Sequence, residues 1–231
     1  MMVSAIILII EGDCVKDIID LDYTIVKDMF SDIDYVWEIF PKIKDYVLVL
    51  GESLDRTHYT KISDNVWIGS NVSISDKATI IGPCIIDDNT EIRPGSYIRG
   101  NVIIGKNCVI GNSCEIKNSI IFDYAQIPHF NYVGDSILGY KAHLGAGVII
   151  SNLKNDKSNV VVKDGNGIDT GLRKFGAIIG NNVDVGCNSV ICPGTVIGCN
   201  TSIYPLVRVR GVIGNNKIVK DENIIIEKRD M

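Results

Sequence analysis

An aliphatic residue returns at every sixth position through the middle of the chain. Starting from Ile62, steps of six meet Ile68, Ile74, Ile80, Ile86, Ile92, Ile98, Ile104, Ile110, Ile116 and Phe122. Four residues after each come Val66, Val72, Ala78, Cys84, Thr90, Ser96, Val102, Cys108, Cys114, Ile120 and Gln126, nearly all small or β-branched. An internal repeat decides a fold before local propensities do. The position following many of the repeated aliphatics is Gly or polar (Gly69, Asp87, Gly105, Gly111), as a tight corner requires. With 40 Ile and 23 Val against 10 Leu, the β-branched weighting favours strands. Each six-residue unit therefore reads as one flat side of a prism, its aliphatic residue pointing inward and the chain turning between units. Three such sides close one coil, and coils must stack to bury their inward faces, joined by parallel ladders. Cys84, Cys108 and Cys114 become packing residues in this scheme, and the paired carboxylates Asp87 and Asp88 fall at corners, in solvent.

The phase slips twice, by a five-residue step from Phe122 to Ile127 and another from Val133 to Leu138. Residues 151–178 leave the pattern and read as a long excursion; loops of that length are usually functional or disordered. The period resumes at Ile179, Val185, Ile191, Ile197, Ile203 and Val209, which makes seven to eight coils in all. Residues 1–61 differ. Val36, Ile39, Phe40, Ile43, Val47 and Leu50 fit one helical face with Pro41 in its first turn, and Thr24 suits the cap of a shorter helix through Phe30. The expected organisation is a helical N-terminal extension, 1–61, packed on the end of the prism or on a neighbouring subunit, followed by a β-helix domain, 62–231. The segment after Gly211 reads as a strand or tail.

The chain has 231 residues, 46% of them apolar, and a formal charge of −5, the marks of one soluble globular unit. Its longest apolar run near the N-terminus, Ala5 to Ile10, is far short of the roughly 20 residues that cross a bilayer, so neither a membrane span nor a signal peptide is expected. An acidic balance gives no general attraction to phosphate backbones, which argues against nucleic acid as a partner. Seven cysteines (Cys14, Cys84, Cys108, Cys114, Cys187, Cys192, Cys199) without a CxxC pair fit reduced thiols in a cytoplasmic protein.

Few motifs carry chemistry on their own. GNVIIGKN at Gly100 to Asn107 approaches a phosphate-cradling loop, but Asn107 replaces the magnesium-holding hydroxyl and the segment is in register with the prism. The nearest histidines, His129 and His143, lie more than two hexads apart, which argues against the tri-histidine zinc site of the γ-type carbonic anhydrases, so no metal is expected. Arg99 and Lys117, separated by three hexads and so by one full coil, should emerge from one face on adjacent coils, either as an anion pocket or as a solvated charged edge. His129, after Pro128 at a phase slip and near Tyr132, suits either a general base or a structural histidine.

The six-residue pattern is identified as the hexapeptide-repeat β-helix, and that resemblance implies a left-handed winding. PHFNYVGDSILG, LGAG and RKFGAIIG further resemble the acetyltransferase domain of the bifunctional N-acetylglucosamine-1-phosphate uridyltransferases and their archaeal sugar-phosphate relatives, over roughly residues 62–211. A group of stand-alone UDP-N-acetylglucosamine pyrophosphorylase-like proteins shares VRG near Val209 and a helical N-terminus. The resemblance implies that His129 is the general base of an acetyl-CoA-dependent N-acetyltransferase acting on an amino-sugar phosphate or nucleotide-sugar. It implies that Arg99 and Lys117 hold the phosphate, that Tyr132, His143 and Lys174 contact the acceptor, and that Ala146, Asn152, Cys187 and Pro205 line the acetyl-CoA site. It also implies a homotrimer with its sites between subunits and no metal requirement. His143 replaces a family asparagine and Cys187 a serine thought to stabilise the tetrahedral intermediate, and a thiol is the weaker donor. Two alternatives follow: a non-catalytic trimer that binds a sugar nucleotide or partner protein, and a nucleotidyltransferase, whose usual LxxGxGTR-like run the chain does not contain.

Overall fold

The structure, a computed structural model, describes residues 18–31 and 33–228; the apolar run Ala5 to Ile10 and Cys14 lie outside them. The repeat folds as a three-faced parallel β-helix. Its first face runs through Val66–Ile68, Cys84–Ile86, Val102–Ile104, Ser119–Ile121, Ile137–Leu138, Ala177–Ile179, Thr195–Ile197 and Val212–Ile213. The second begins at Ser73–Ile74 and ends at Lys217–Val219; the third begins at Thr79–Ile80 and ends at Arg208–Val209. The three sheets hold nine, nine and seven strands, and an antiparallel strand (Thr60–Ser63 and Ile225–Glu227) closes one end of each nine-stranded sheet. Such caps cover the open edge that a stack of strands otherwise presents.

Inside the prism, the hexad aliphatics from Ile68 to Ile116 stack with Val66, Cys84, Val102, Cys108 and Cys114 in one continuous core. Two readings of the repeat need correction. Ile62, on the capping strand, is exposed. Phe122 points outward, and Ile121 takes the interior position. The five-residue step therefore falls between Ile116 and Ile121, and the small interior partners there are Ser119 and Ala125 in place of Ile120 and Gln126. Periodicity alone could not choose between adjacent Ile121 and Phe122; an apolar layer outside the prism decides it.

That layer is the N-terminal segment. Residues Val36–Lys42 form a 3-10 helix containing Pro41, which leads into helix α1, Ile43–Ser53. Proline precedes the α-helix, where its missing N–H costs nothing. A shorter 3-10 turn covers Lys27–Phe30, preceded by Thr24, whose hydroxyl accepts the Val26 N–H at 3.4 Å. The expectation that this segment caps the prism end is not met, because it lies along the first face. Met29, Phe30, Trp37, Ile39, Phe40, Ile43 and Val47 form a second core with the outward side chains Trp67, Ile85, Ile103, Ile120, Phe122, Ile137, Ile178 and Val196. A strand face that is apolar on both sides must be covered on both.

The excursion is folded. It runs between Ile149–Ile150 and Ala177–Ile179, with a short antiparallel pairing of Val161–Val162 and Ile168–Asp169. Phe175 anchors its return, its ring 5.2 Å from Phe40 and 6.0 Å from Trp37.

Candidate functional site

Two edges of the third face carry the residues singled out by sequence. At the corner between the second and third faces, each coil turns through a residue in the left-handed region: Phe130 (φ 54°), Gly147 (φ 75°), Asn188 (φ 57°) and Leu206 (φ 65°). Immediately before these stand His129, Ala146, Cys187 and Pro205, one per coil. Backbone hydrogen bonds lock the column: Gly147 N–H donates to His129 O (3.0 Å), Asn188 N–H to Ala146 O (2.9 Å) and Leu206 N–H to Cys187 O (3.0 Å). His129, Cys187 and Pro205 are exposed. The His129 imidazole makes no hydrogen bond or ion pair among the described residues, and its backbone is held by Asn131. The buried Asn131 amide accepts the His129 N–H at 3.1 Å and donates to Gly145 O at 2.7 Å, tying two coils together. His143 lies on the second face, its Nδ1 2.8 Å from Asp184 Oδ1 on the next coil.

The opposite edge of the third face is more polar. Arg99 and Lys117 stand on adjacent coils as the three-hexad spacing required, with Arg99 N–H donating to Ile116 O. Each is matched by a carboxylate: Arg99 by Glu115 at 2.6 Å and Lys117 by Asp135 at 3.1 Å. The pair is therefore a neutralised edge and not a bare anion pocket. Asp135 is buried and also accepts Asn118 Nδ2 at 2.8 Å and Asn152 Nδ2. Tyr132 belongs to the same cluster: burial first, then Asp135 and Glu115, push its hydroxyl above the usual phenol range, which keeps it a proton donor. Gly134 leaves room for this, since a Cβ there would lie 2.7 Å from both the Tyr132 hydroxyl and Asn152 Nδ2.

Beside this cluster lies a cleft of about 570 Å³ lined by Phe40, Pro41, Asn118, Asp135, Leu153, Lys157, Leu172, Arg173 and Lys174. Among the described residues Lys157, Arg173 and Lys174 make no ion pair, so the cleft's free positive charge comes from the excursion. A second cleft of about 550 Å³ lies on the other side of the excursion, with Lys154, Lys163, Cys192, Arg208 and Arg210 in its wall. The structure thus gathers Lys117, Tyr132, Asn152 and Lys174 about one edge and His129, Ala146, Cys187 and Pro205 at the other, with the width of the third face between them. Asn152 is accordingly separated from the other three residues expected about acetyl-CoA. Sequence reasoning missed Asp135, Asn118 and Asn131. The signals present were that Asn131 and Asp135 both lie within PHFNYVGDSILG and that Asp135 falls in the second five-residue step.

Two family models match the chain: the GMPPB C-terminal domain over residues 80–172 and the bacterial transferase hexapeptide (six repeats) over residues 59–99. Together with the three-faced coil, these matches show a left-handed parallel β-helix built on hexapeptide repeats. A bifunctional sugar-1-phosphate nucleotidylyltransferase/acetyltransferase of Sulfurisphaera tokodaii is 37% identical over 177 residues, 68% of this chain and 44% of that protein. The bifunctional protein GlmU of Methanococcus maripaludis is 34% identical over 209 residues, 87% of this chain and 50% of that one. The chain spans about half the length of the curated relatives it matches. Among solved structures, AntD, an N-acyltransferase from Bacillus cereus crystallised with dTDP and coenzyme A, is 24% identical. It covers 71% of this chain and 83% of its own at a TM-score of 0.43, an overlap too loose to carry an assignment. No helix among the described residues is long and apolar enough to cross a membrane.

Proposed function

We propose that the protein is an acyl-CoA-dependent N-acyltransferase, with acetyl-CoA as donor and an amino-sugar phosphate or nucleotide-sugar as acceptor. The observation that carries this reading is the column at one corner, where an exposed His129, its imidazole unpaired among the described residues, heads a stack continued by Ala146, Cys187 and Pro205. The name of the Sulfurisphaera relative, which joins a sugar 1-phosphate activity to an acetyltransferase, supports both substrate classes. In the reaction His129 takes a proton from the acceptor's ammonium, the freed amine attacks the thioester carbonyl, and the thiolate of coenzyme A leaves with a proton. Cys187, two coils along the column, faces the thioester, its thiol a weak donor for the oxyanion. The column gives the extended acyl-CoA arm a track along the coil stack. No step requires a metal.

The acceptor's phosphate is held by cations of the opposite edge. Lys174, with Arg173 and Lys157, supplies charge that no carboxylate among the described residues pairs with, whereas Arg99 and Lys117 accept an anion only by giving up Glu115 and Asp135. Because the two edges are a face apart in one chain, a complete site takes His129 from one protomer and the excursion from the next. A homotrimer provides that arrangement, and the exposed Tyr97, Ile149, Val190, Phe130 and Leu206 on and beside the third face give it apolar surface to bury. The test is coenzyme A release from acetyl-CoA across a panel of amino-sugar phosphates and nucleotide-linked amino sugars, with His129→Ala as control.

A further inference from the structure

We propose that His58, Asp87 and Asp88 bind a first-row divalent metal ion, of the Zn²⁺ and Mn²⁺ class, that clips the N-terminal layer to the first coils of the β-helix. His58 lies in the turn between α1 and the capping strand Thr60–Ser63, and the two aspartates follow the strand Cys84–Ile86. One ligand atom from each residue lies within 4.8 Å of the other two, an upper limit equal to two opposed metal–ligand bonds of about 2.4 Å. His58 Nε2 and Asp88 Oδ1 are 2.8 Å apart, close to the roughly 3 Å between neighbouring ligands at right angles on an ion with ~2.1 Å bonds. One imidazole with two carboxylates favours a transition metal over calcium or magnesium.

Asp87 is the independent observation. The position after the interior aliphatic at this corner is glycine in six coils, at Gly69, Gly105, Gly139, Gly180, Gly198 and Gly214, and the chain departs from glycine only at Asp87 and Phe122. Phe122 has a packing reason, with Phe30 against its ring. Asp87 is 0% exposed, contrary to the solvated corner expected from sequence. Its Oδ1 accepts the Tyr59 hydroxyl at 2.7 Å and the Asp88 N–H at 2.8 Å, while its buried Oδ2 has no hydrogen-bond partner among the described residues. Among the described residues no cationic side chain pairs with Asp87; Lys106 reaches only Asp88, at 3.5 Å. A buried carboxylate without a counter-charge is costly, and a bound cation supplies what the fold omits.

Nor does corner capping demand an acid at Asp88. Its Oδ1 accepts the Ser70 N–H at 2.8 Å, and the equivalent acceptors further along the stack are the carboxylate of Asp123 (2.7 Å) and the amides of Asn181 (2.9 Å) and Asn215 (2.7 Å), so an amide caps this corner as well as an acid does. The fold therefore holds a buried carboxylate at Asp87 where glycine serves in six other coils, with a second carboxylate, Asp88, beside it and the His58 ring 2.8 Å from Asp88.

The full chain, stripped with chelator, is titrated with Zn²⁺ by calorimetry and followed by thermal unfolding. One ion per chain and a Tm raised by several degrees are expected. His58→Ala and Asp88→Asn, the latter keeping the Ser70 cap, should each weaken binding at least tenfold. Asp87→Asn should abolish the metal-dependent rise while leaving the metal-free Tm equal to or above that of the stripped wild type. Mn²⁺, which thiolates hold poorly, should give the same ranking at lower affinity. No stoichiometric binding, or Zn²⁺ binding undiminished in the His58 and Asp88 variants, overturns the proposal.

Discussion

His129 owes its exposure to its neighbours: Pro128 and the left-handed Phe130 hold the corner open, and Asn131 fixes the backbone while leaving the imidazole free. His129→Ala should lower kcat/KM for acyl transfer about 100- to 10,000-fold with an unchanged melting temperature, as expected when a general base is lost from an exposed site. Asp135 has the reverse character. It gathers Lys117 and Asn118 from the coil before it and Asn152 from the coil after it, at a φ of 48° that asparagine also tolerates. Asp135→Asn should cost about 1–3 kcal/mol in denaturant unfolding by leaving Lys117 unpaired and setting amide against amide. Spacing made Lys117 visible by locating it on a coil, and the phase slip together with the family resemblance singled out His129 and Tyr132. The sequence hid Asp135 and Asp87, because a corner aspartate reads the same whether it faces water or a buried amide cluster, and only the outer layer and the excursion decide which.

The corner is the element on which the coil depends, and its tolerance is small. A Cβ on Gly111 would lie 1.5 Å from Pro128 O in the neighbouring coil, so Gly111→Ala must force adjacent coils apart. Loss of soluble protein, or a drop in Tm well beyond that of a surface substitution, is the expected outcome. The excursion depends on one anchor. Phe175→Ala removes the ring that packs against Phe40 and Trp37, and should cost about 3–5 kcal/mol and speed amide exchange through residues 151–176 ahead of the coils. Coil geometry was legible because a period of six sustained from Ile68 to Ile116 allows one phase. The register at Ile121 was not, since two adjacent apolar residues satisfy the period equally and the choice rests on Phe30, far away in sequence.

At the scale of the whole molecule, the N-terminal layer covers the first face and leaves the second and third for contact and chemistry. Phe40 and Pro41 also wall the cleft that holds Lys174, so this layer takes part in shaping the site as well as the core. Light scattering on the purified protein should return three times the 25.3 kDa chain mass, and Phe130→Asp with Leu206→Asp should shift it toward monomer and remove activity together. The account rests most on one claim, that the His129 column is an acyl-transfer site. Continuous measurement of free thiol from acetyl-CoA with glucosamine 1-phosphate and related amino-sugar acceptors, for wild type beside His129→Ala, tests it most directly. The account predicts acceptor-dependent thiol release by the wild type that falls at least about 100-fold in the variant. Turnover that is equal in the two proteins, or no acyl-CoA binding by a well-folded wild-type protein, would contradict it.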